Sequence, residues 1–328
     1  MILAGDVGGT KTALGLYEPS GGGVQPQREA SFASHDYASL TDVLTEFLKP
    51  HQGRPLQAAC FGVPGAVIDG HAATTNLPWL VEEKELAAFL NTPRVKLLND
   101  LEATAYGTLF LQSTEVSVLN TGTPRTRAAN VAVIAAGTGL GEAILYGDGT
   151  HHHPIASEGG HADFAPRGDE QIEMLRYLRD RFADGHVSYE RVLSGPGLHN
   201  IYNFLRDTRF AAEPQWLADA LAGGDASATI AAHALAADDA LCVEALNLFA
   251  GIYGAEAGNL ALKCLAVGGV FVAGGIAPKI LPVLHSGRFM RSFTDKGRFA
   301  ELLRGIPVKV ALNPRTALLG AAHFALRL

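Results

Sequence analysis

The chain has 328 residues, 48% of them hydrophobic, enough to bury a large core and to form two domains more readily than one. Its 26 Lys and Arg against 33 Asp and Glu give a net charge of −7 with no long basic run, which excludes a nucleic-acid partner, because binding to a phosphate backbone depends on clustered cations. The three cysteines, Cys60, Cys242 and Cys264, lie far apart in apolar settings, so buried reduced thiols are expected, with neither a disulfide framework nor a thiolate zinc site.

The N-terminus enters a strand at once, with no basic segment followed by an apolar stretch, so a cytoplasmic location is expected. In the apolar C-terminal region the longest run without charged or strongly polar side chains, Cys264 to Ala277, contains four glycines and is too short to span a bilayer. It reads as a buried strand with turns, and no membrane partner is expected.

Ile2 to Ala4 and Ala13 to Tyr17 are short runs of β character on either side of Gly5-Asp6-Val7-Gly8-Gly9-Thr10-Lys11-Thr12. A turn containing Gly8-Gly9 lets the backbone approach a ligand and turn N–H groups toward an anion. Asp6 would repel a phosphate unless a divalent cation lay between the two, so Asp6 implies Mg²⁺. The competing reading is an ordinary hairpin turn, which favours Asp, Gly and Thr on conformational grounds. A Gly21-Gly22-Gly23 loop leads to a third antiparallel strand over Arg28 to Phe32. Ser39 opens a helix with Leu40, Val43, Leu44, Phe47 and Leu48 on one face and Pro50 after its end. Ala58 to Gly62 is a strand, and the turn-rich stretch from Gly62 to Trp79 carries Asn76 and Trp79 either as cleft residues or as ordinary loop residues.

Val95 to Leu98 is a short buried strand ending at Asn99-Asp100, before a helix from Leu101 to Leu111. Strand ends carry active sites in open α/β sheets, but an Asp at this place also serves as a helix N-cap, and both roles stay open on position alone. Ser113 to Arg127 reads as a link to a second hairpin. There Val131 to Ala136, Gly137-Thr138-Gly139-Leu140-Gly141 and Glu142 to Tyr146 repeat the strand, Gly/Thr turn, strand plan, with Gly8 aligned to Gly137 and Tyr17 to Tyr146. Two such hairpins are expected of two related lobes closing on opposite sides of a nucleotide.

His151-His152-His153 reads as a solvated loop. Ser157-Glu158-Gly159-Gly160-His161-Ala162-Asp163-Phe164 crowds Glu, His and Asp around a glycine pair, as in a polar binding loop or a surface turn; its spacing excludes an HExxH zinc helix. Asp169 to Phe182 is an amphipathic helix. Ser188 is placed to cap a helix with Glu190 in its first turn, where a carboxylate is favoured whether or not it has a further role. Gly195-Pro196-Gly197 reads as a break, and Gly251, Ala255 and Gly258 put small residues on one helical face that should pack closely on a neighbour. Val270 to Ile276 is a buried strand ending in Gly274-Gly275, where an aromatic base can lie flat on backbone. Val308 to Leu312 is a strand, Asn313-Pro314 a break, and Pro314 to Leu328 a helix returning to the first domain.

Gly5-Asp-Val-Gly-Gly-Thr10, Asn99-Asp100, Gly137-Thr-Gly-Leu-Gly141, Glu158-Gly-Gly-His161-Ala-Asp-Phe-Ala-Pro166, Gly185-His-Val-Ser-Tyr-Glu-Arg-Val-Leu-Ser-Gly-Pro-Gly197 and Val272-Ala-Gly-Gly-Ile276 occur in this order. With them the chain resembles the bacterial glucokinase family from end to end. The resemblance implies an α/β fold of the actin-like ATPase (ribonuclease H-like) kind, with a smaller α/β domain (1–111 plus 314–328), a larger α+β domain (112–313), and ATP and glucose meeting in the cleft between them. It implies Asp100 as catalytic base acting on the glucose 6-hydroxyl, and Asn99, Asp100, Glu158, His161 and Glu190 as sugar contacts. For ATP it implies Gly5, Asp6, Val7, Gly8, Gly9, Thr10, Lys11, Gly137, Thr138, Gly139 and Gly275, with Mg²⁺ at Asp6 and a homodimer as the assembly. Lys11 stands where many relatives carry Asn, and the cysteine-rich zinc motif of the broader repressor and sugar-kinase group is absent.

The residues agree with that chemistry. Phosphoryl transfer needs neutralised phosphate charge, an in-line hydroxyl and exclusion of water. A neutral sugar rich in hydroxyls calls for paired acceptors and donors such as Glu158, Glu190, Asn99 and His161. A chaperone-like ATPase of this fold would need a peptide-binding domain for which no residues are left. A dinucleotide oxidoreductase would need Gly-x-Gly-x-x-Gly opening a helix, where Gly137-x-Gly-x-Gly141 leads into a strand. The nearer alternative is a kinase for mannose, fructose or an N-acetylated hexose.

Overall fold

A computed structural model describes residues 1–51, 54–74, 77–123, 125 and 127–328. Its strands are β1 (Ile2–Val7), β2 (Lys11–Ser20), β3 (Gly23–Ala33), β4 (Ala58–Val63), β5 (His71–Ala73), β6 (Leu80–Glu82), β7 (Val95–Asn99), β8 (Val116–Asn120), β9 (Val131–Ala136), β10 (Leu140–Gly147), β11 (His152–Ser157), β12 (Gly269–Ala273) and β13 (Val308–Ala311). The helices are α1 (Leu40–Leu48), α2 (Glu83–Leu90), α3 (Asp100–Thr108), α4 (Gly168–Arg179), α5 (Gly195–Asp207), α6 (Gln215–Ala222), α7 (Ala226–Ala236), α8 (Ala240–Lys263), α9 (Leu281–His285), α10 (Arg288–Thr294), α11 (Ala300–Arg304) and α12 (Thr316–Ala325).

Two sheets share one plan. The first runs β3-β2-β1-β4-β7 and the second β11-β10-β9-β12-β13-β8, each with an antiparallel hairpin pair followed by two strands parallel to its centre. The expected duplication is therefore present in the topology. One detail differs from the alignment: Val7 pairs with Thr12 but Ala136 pairs with Leu140, so the second turn is one residue shorter. Because side chains alternate along a strand, that deletion puts Tyr17 and Tyr146 on opposite faces. Tyr17 is buried against the first sheet, whereas Tyr146 faces solvent.

β1 and β4 are apolar almost throughout, as strands covered on both faces must be. α1 starts at Ser39, whose hydroxyl accepts from the Asp42 N–H, and buries Leu40, Val43, Leu44 and Phe47 in the core of the first sheet. The last helix, α12, returns to this sheet and crosses α3 so closely that a side chain at Gly107 or Gly320 would overlap the facing backbone. Under the second sheet lies α8, long and apolar enough to cross a membrane by length and composition, here largely buried. Of the expected small-residue face on α8, Gly258 packs beneath Phe293 and Gly251 beside Ser292 of α10, and Gly254, which was not anticipated, makes the tightest approach, beneath Phe289.

Several local expectations give way. Gly195-Pro196-Gly197 opens α5 instead of breaking the chain: Ser194 accepts the Gly197 N–H, and a proline near the start of a helix removes only an N–H that had no partner. Ser113 to Arg127 is no bare linker, since it contributes β8, the edge strand beside β13. The histidine tract is not a loop either: His152 and His153 begin β11, and His153 Nε2 sits 2.8 Å from Asp148 Oδ2. Trp79 belongs to the first core, its indole N–H donating to the Tyr37 carbonyl at 3.3 Å, while Asn76 lies outside the described residues. α2 was not anticipated; its end uses Asn91 in the left-handed region.

Candidate active site

The junction of β7 and α3 is built by a capping box. Asn99 has extended backbone (φ −60°, ψ 150°), its Oδ1 accepts the Leu101 N–H at 2.9 Å, and the Glu102 carboxylate accepts the Asn99 N–H at 2.9 Å. The cap is thus Asn99 and not Asp100, which is the first helical residue. Asp100 Oδ1 takes a 2.9 Å bond from the Leu101 N–H, and the rest of its carboxylate faces a cavity. Asn99 Nδ2 also donates to the Gly65 carbonyl at 3.0 Å, holding the Pro64-Gly65 turn at the cavity rim.

That cavity, about 610 Å³, brings together Asn99, Asp100, Glu158, His161, Glu190, Gly137, Thr138 and Gly139. They come from the end of β7, the turn before β10, the segment after β11 and the turn before α5. Glu190 lies in the short 3₁₀ turn Tyr189–Arg191, which Ser188 does not cap. Its Oε2 accepts the Leu140 N–H at 2.9 Å, so the carboxylate also buttresses the second hairpin. A Cβ on Gly139 would stand 2.5 Å from Glu190 Oε2, so the glycine leaves room for the carboxylate in that position.

Asp6 and Lys11 border a neighbouring cavity of about 630 Å³, with Pro314 and Arg315 from the approach to α12. Gly5 and Val7 are buried in the paired strand, and Gly5 has Phe61 packed against its Cα. The Gly8 N–H closes its turn onto the Lys11 carbonyl at 3.0 Å, and the Gly137 N–H closes onto the Gly139 carbonyl at 2.8 Å. Neither is available to an anion. Among the described residues no protein acceptor takes the N–H groups of Gly9, Thr10, Thr138 or Gly139. Gly275 is exposed just beyond β12, with no atom within 4 Å of where a Cβ would be, and its neighbour Gly274 lines the first cavity.

Burial pushes Asp100 up to about 6, with the Glu158 charge adding to it and the Leu101 N–H opposing it. Asp6 is also pushed up to about 6, by burial first and by the Asp100 charge second, while Lys11 draws it down. Such a carboxylate binds a cation readily, because the cation removes the cost of the buried charge. Among the described residues no three metal-ligating side chains cluster, so a cation here would take one carboxylate and fill its remaining positions with phosphate oxygens and water. Mg²⁺ is commonly held in that way, and the donor set fits it.

Sequence reasoning missed Thr104 in the cavity wall and the role of the Pro64-Gly65 turn there, whereas Ser157 and Gly274 fall in stretches it had singled out. Pro64-Gly65, with Gly65 at φ +94°, carried a turn signal, but nothing local placed the turn at Asn99. A hydroxyl held beside Asp100 has a base of suitable basicity at hand, and the polar groups around it suit a neutral ligand with many hydroxyls.

The glucokinase family model matches residues 3–328. The chain is 42% identical to the glucokinase of Nostoc punctiforme over 340 residues, covering 100% of this chain and 99% of that one. It superposes on the crystal structure of a glucokinase from an Antarctic psychrotroph with a TM-score of 0.88 at 29% identity, covering 100% and 99% of the two chains. A ROK family glucokinase from Streptomyces griseus, solved in complex with glucose and AMPPNP, shares the fold with a TM-score of 0.66 at 20% identity, covering 100% and 99%.

Proposed function

The chain belongs to the glucokinase family and catalyses ATP-dependent phosphorylation of glucose; from that premise we propose that Asp100 takes the proton of the glucose 6-hydroxyl while Asn99, Glu158, His161 and Glu190 hold the sugar. The observation that carries this reading is the single cavity in which these five side chains converge from separate parts of the chain. Asp100, with a pKa near 6, is ionised at neutral pH and still basic enough to accept a proton late in a loose phosphoryl-transfer step. Glu158 and Glu190 accept hydrogen bonds from hydroxyls, His161 and the Asn99 amide supply both polarities, and among the described residues no Arg lines the cavity to favour an anionic sugar.

ATP lies across the two hairpin turns in this reading, its phosphates near the N–H groups of Gly9, Thr10, Thr138 and Gly139 and its base near Gly275. Gly5, Val7, Gly8 and Gly137 act through the shape of the turns, and Lys11 offers a cation beside Asp6. Mg²⁺ would be held by Asp6 and would neutralise charge on the transferred phosphoryl group. The domain division is 1–111 plus 314–328 against 112–313, supported by the packing of α12 on α3, β1 and β4. In this reading the enzyme acts in the cytoplasm as a homodimer, the location being consistent with three free cysteines, two of them buried.

An ADP-release assay across glucose, mannose, fructose and N-acetylglucosamine, run on the parent and on Glu158→Ala and Glu190→Ala, tests the assignment. Glucose should be the best substrate, and both variants should raise the glucose KM with the ATP KM little changed. Preference for another hexose, or variants that lose ATP affinity at unchanged glucose KM, would overturn it.

A further inference from the structure

Directly beneath the sugar-binding segments lie two carboxyl groups that the reaction does not use. Glu142 points inward from β10, on the side away from Leu101, which occupies the face over Gly141. Glu256 points up from the middle of α8. Glu142 is 1% exposed and Glu256 0%. Their partners are unequal. Glu256 accepts from Lys263 Nζ at 3.1 Å and from Asn259 Nδ2 at 2.8 Å, so its charge is compensated. Glu142 Oε1, in contrast, is buried and receives no hydrogen bond from any described residue.

Among the described residues, the groups around this pair supply no second cation at Glu142. From α8 they are Lys263, already on Glu256, the Tyr253 phenol and the Cys264 thiol; the Tyr189 phenol comes from the turn before α5. Lys296, beyond α10, is turned to the Ala255 carbonyl at 2.9 Å and to Asn259 Oδ1 at 2.6 Å. Two ionised carboxylates beside one ammonium would leave an uncompensated buried charge, and one proton removes it. That proton also makes Glu142 a donor to the Glu256 carboxylate, with which it is in hydrogen-bonding contact.

The pair touches both segments that face the sugar. A side chain on Gly159 would overlap Glu142 Oε2, and one on Gly160 would overlap the Leu140 carbonyl, so the Glu158-Gly159-Gly160-His161 turn rests directly on β10 at Glu142. On the other side the Tyr189 phenol joins Glu256 and Asn259, and Tyr189 immediately precedes Glu190. The two segments are themselves tied by the Tyr189 N–H to the Ala162 carbonyl at 2.9 Å.

We propose that Glu142 carries a proton shared with Glu256, and that this buried acid pair is a positioning element setting the Glu158–His161 turn and Glu190 in their sugar-binding arrangement. The proposal rests on the glucose-site reading above. Loss of the shared proton leaves two like charges pressed together, and they separate by lifting the Glu158–His161 turn off β10, which weakens glucose while the backbone pairing of β9 with β10 in the second hairpin stays in place. Burial, with the Glu256 charge second, pushes Glu142 well above the usual carboxylate range, so its proton is lost on the alkaline side. The sign follows: a carboxyl whose folded pKa is raised stays neutral below it, and the arrangement that depends on it is lost as pH rises through that raised value.

The test is the pH dependence of glucose KM and ATP KM in the parent and in Glu142→Gln. Gln keeps the shape and donates to Glu256 at every pH. In the parent, glucose KM should rise about fivefold or more between pH 7 and 9.5 with ATP KM nearly constant; in Glu142→Gln it should be close to the parent value at pH 7 and flat to pH 9.5. A flat parent profile overturns the proposal without any variant. So does an alkaline rise that persists in Glu142→Gln, which would assign it to another group such as Lys296, held near 8 by burial. Glu158→Ala, measured alongside, separates the two readings. If it leaves glucose KM unchanged, the sugar site itself is misassigned; if it raises KM while Glu142→Gln keeps the parent profile, only the acid-pair proposal fails.

Discussion

Asp100→Asn should separate turnover from stability, and the structure sets the size of both effects. The cap of α3 belongs to Asn99 and Glu102, so the substitution leaves it in place, and the Asn Oδ1 can keep the bond from the Leu101 N–H. What is lost is a negative charge in the first turn, worth about 0.3–1 kcal/mol through the helix dipole. What is gained is larger. Raising the carboxyl from 3.8 to about 6 is a shift of roughly two units, or about 3 kcal/mol of strain on the ionised form, and partial exposure reduces this to about 1–3 kcal/mol. The sign check fixes where it appears: with a raised folded pKa the parent is penalised once pH passes its unfolded value, so the variant should gain on the parent between pH 4 and 6 and hold the gain above. At pH 8 Asp100→Asn should be equal to the parent or up to about 2 kcal/mol more stable. Removal of a general base should lower kcat by about 10²–10⁴ with both substrates still bound. Melting curves at pH 4.5 and 8, paired with ADP release at saturating glucose and Mg·ATP, measure both. A variant with near-normal kcat, or one destabilised by more than about 1 kcal/mol at pH 8, would refute the reasoning and make Asp100 structural.

The same carboxyl should give the parent's kcat/KM for glucose an acid limb near pH 6, with activity falling as Asp100 takes up its proton; a profile flat from pH 7 to 5 would remove it as the base. Asp6→Asn should raise the Mg²⁺ concentration needed for half-maximal rate by tenfold or more, on the order of the one to two kcal/mol expected for a charge-assisted contact, with glucose KM little changed; equal activity of variant and parent at limiting Mg²⁺ would argue against a cation there. Gly139→Ala should push the Glu190 carboxylate aside and so raise glucose KM by about tenfold, although Gly139 lies in a turn proposed to face the nucleotide. An increase confined to ATP KM would show that Glu190 is not coupled to that turn.

The repeated hairpins were legible in the sequence because their information is local. A glycine turn between two apolar runs announces itself, and so do β7, α1 and the Gly274-Gly275 end of β12. The reading slipped by one residue at Tyr146 and by one residue at the cap of α3. Both slips have the same source. Which residue leaves a strand's backbone geometry, and how many residues a turn spends, depends on hydrogen bonds such as Asn99 Oδ1 to Leu101 and Gly137 N–H to Gly139, and neighbouring residue types do not distinguish the alternatives. Gly195-Pro196-Gly197 failed for a related reason: the residues that break a helix from within also start one when a serine precedes them.

By itself the sequence determined the repeated hairpin plan, the glycine turns and a set of polar residues suited to a phosphoryl transfer onto a sugar, since each is written in a short stretch. Only the tertiary structure decided that Asn99 caps and Asp100 does not, that Glu190 supports the second hairpin as well as facing the cavity, and that Glu142 and Glu256 meet under Gly159. Those facts join residues from distant segments of the chain. Burial, charge compensation and close approach are properties of what surrounds an atom in space, and until β10 is laid over α8 no stretch of sequence holds them.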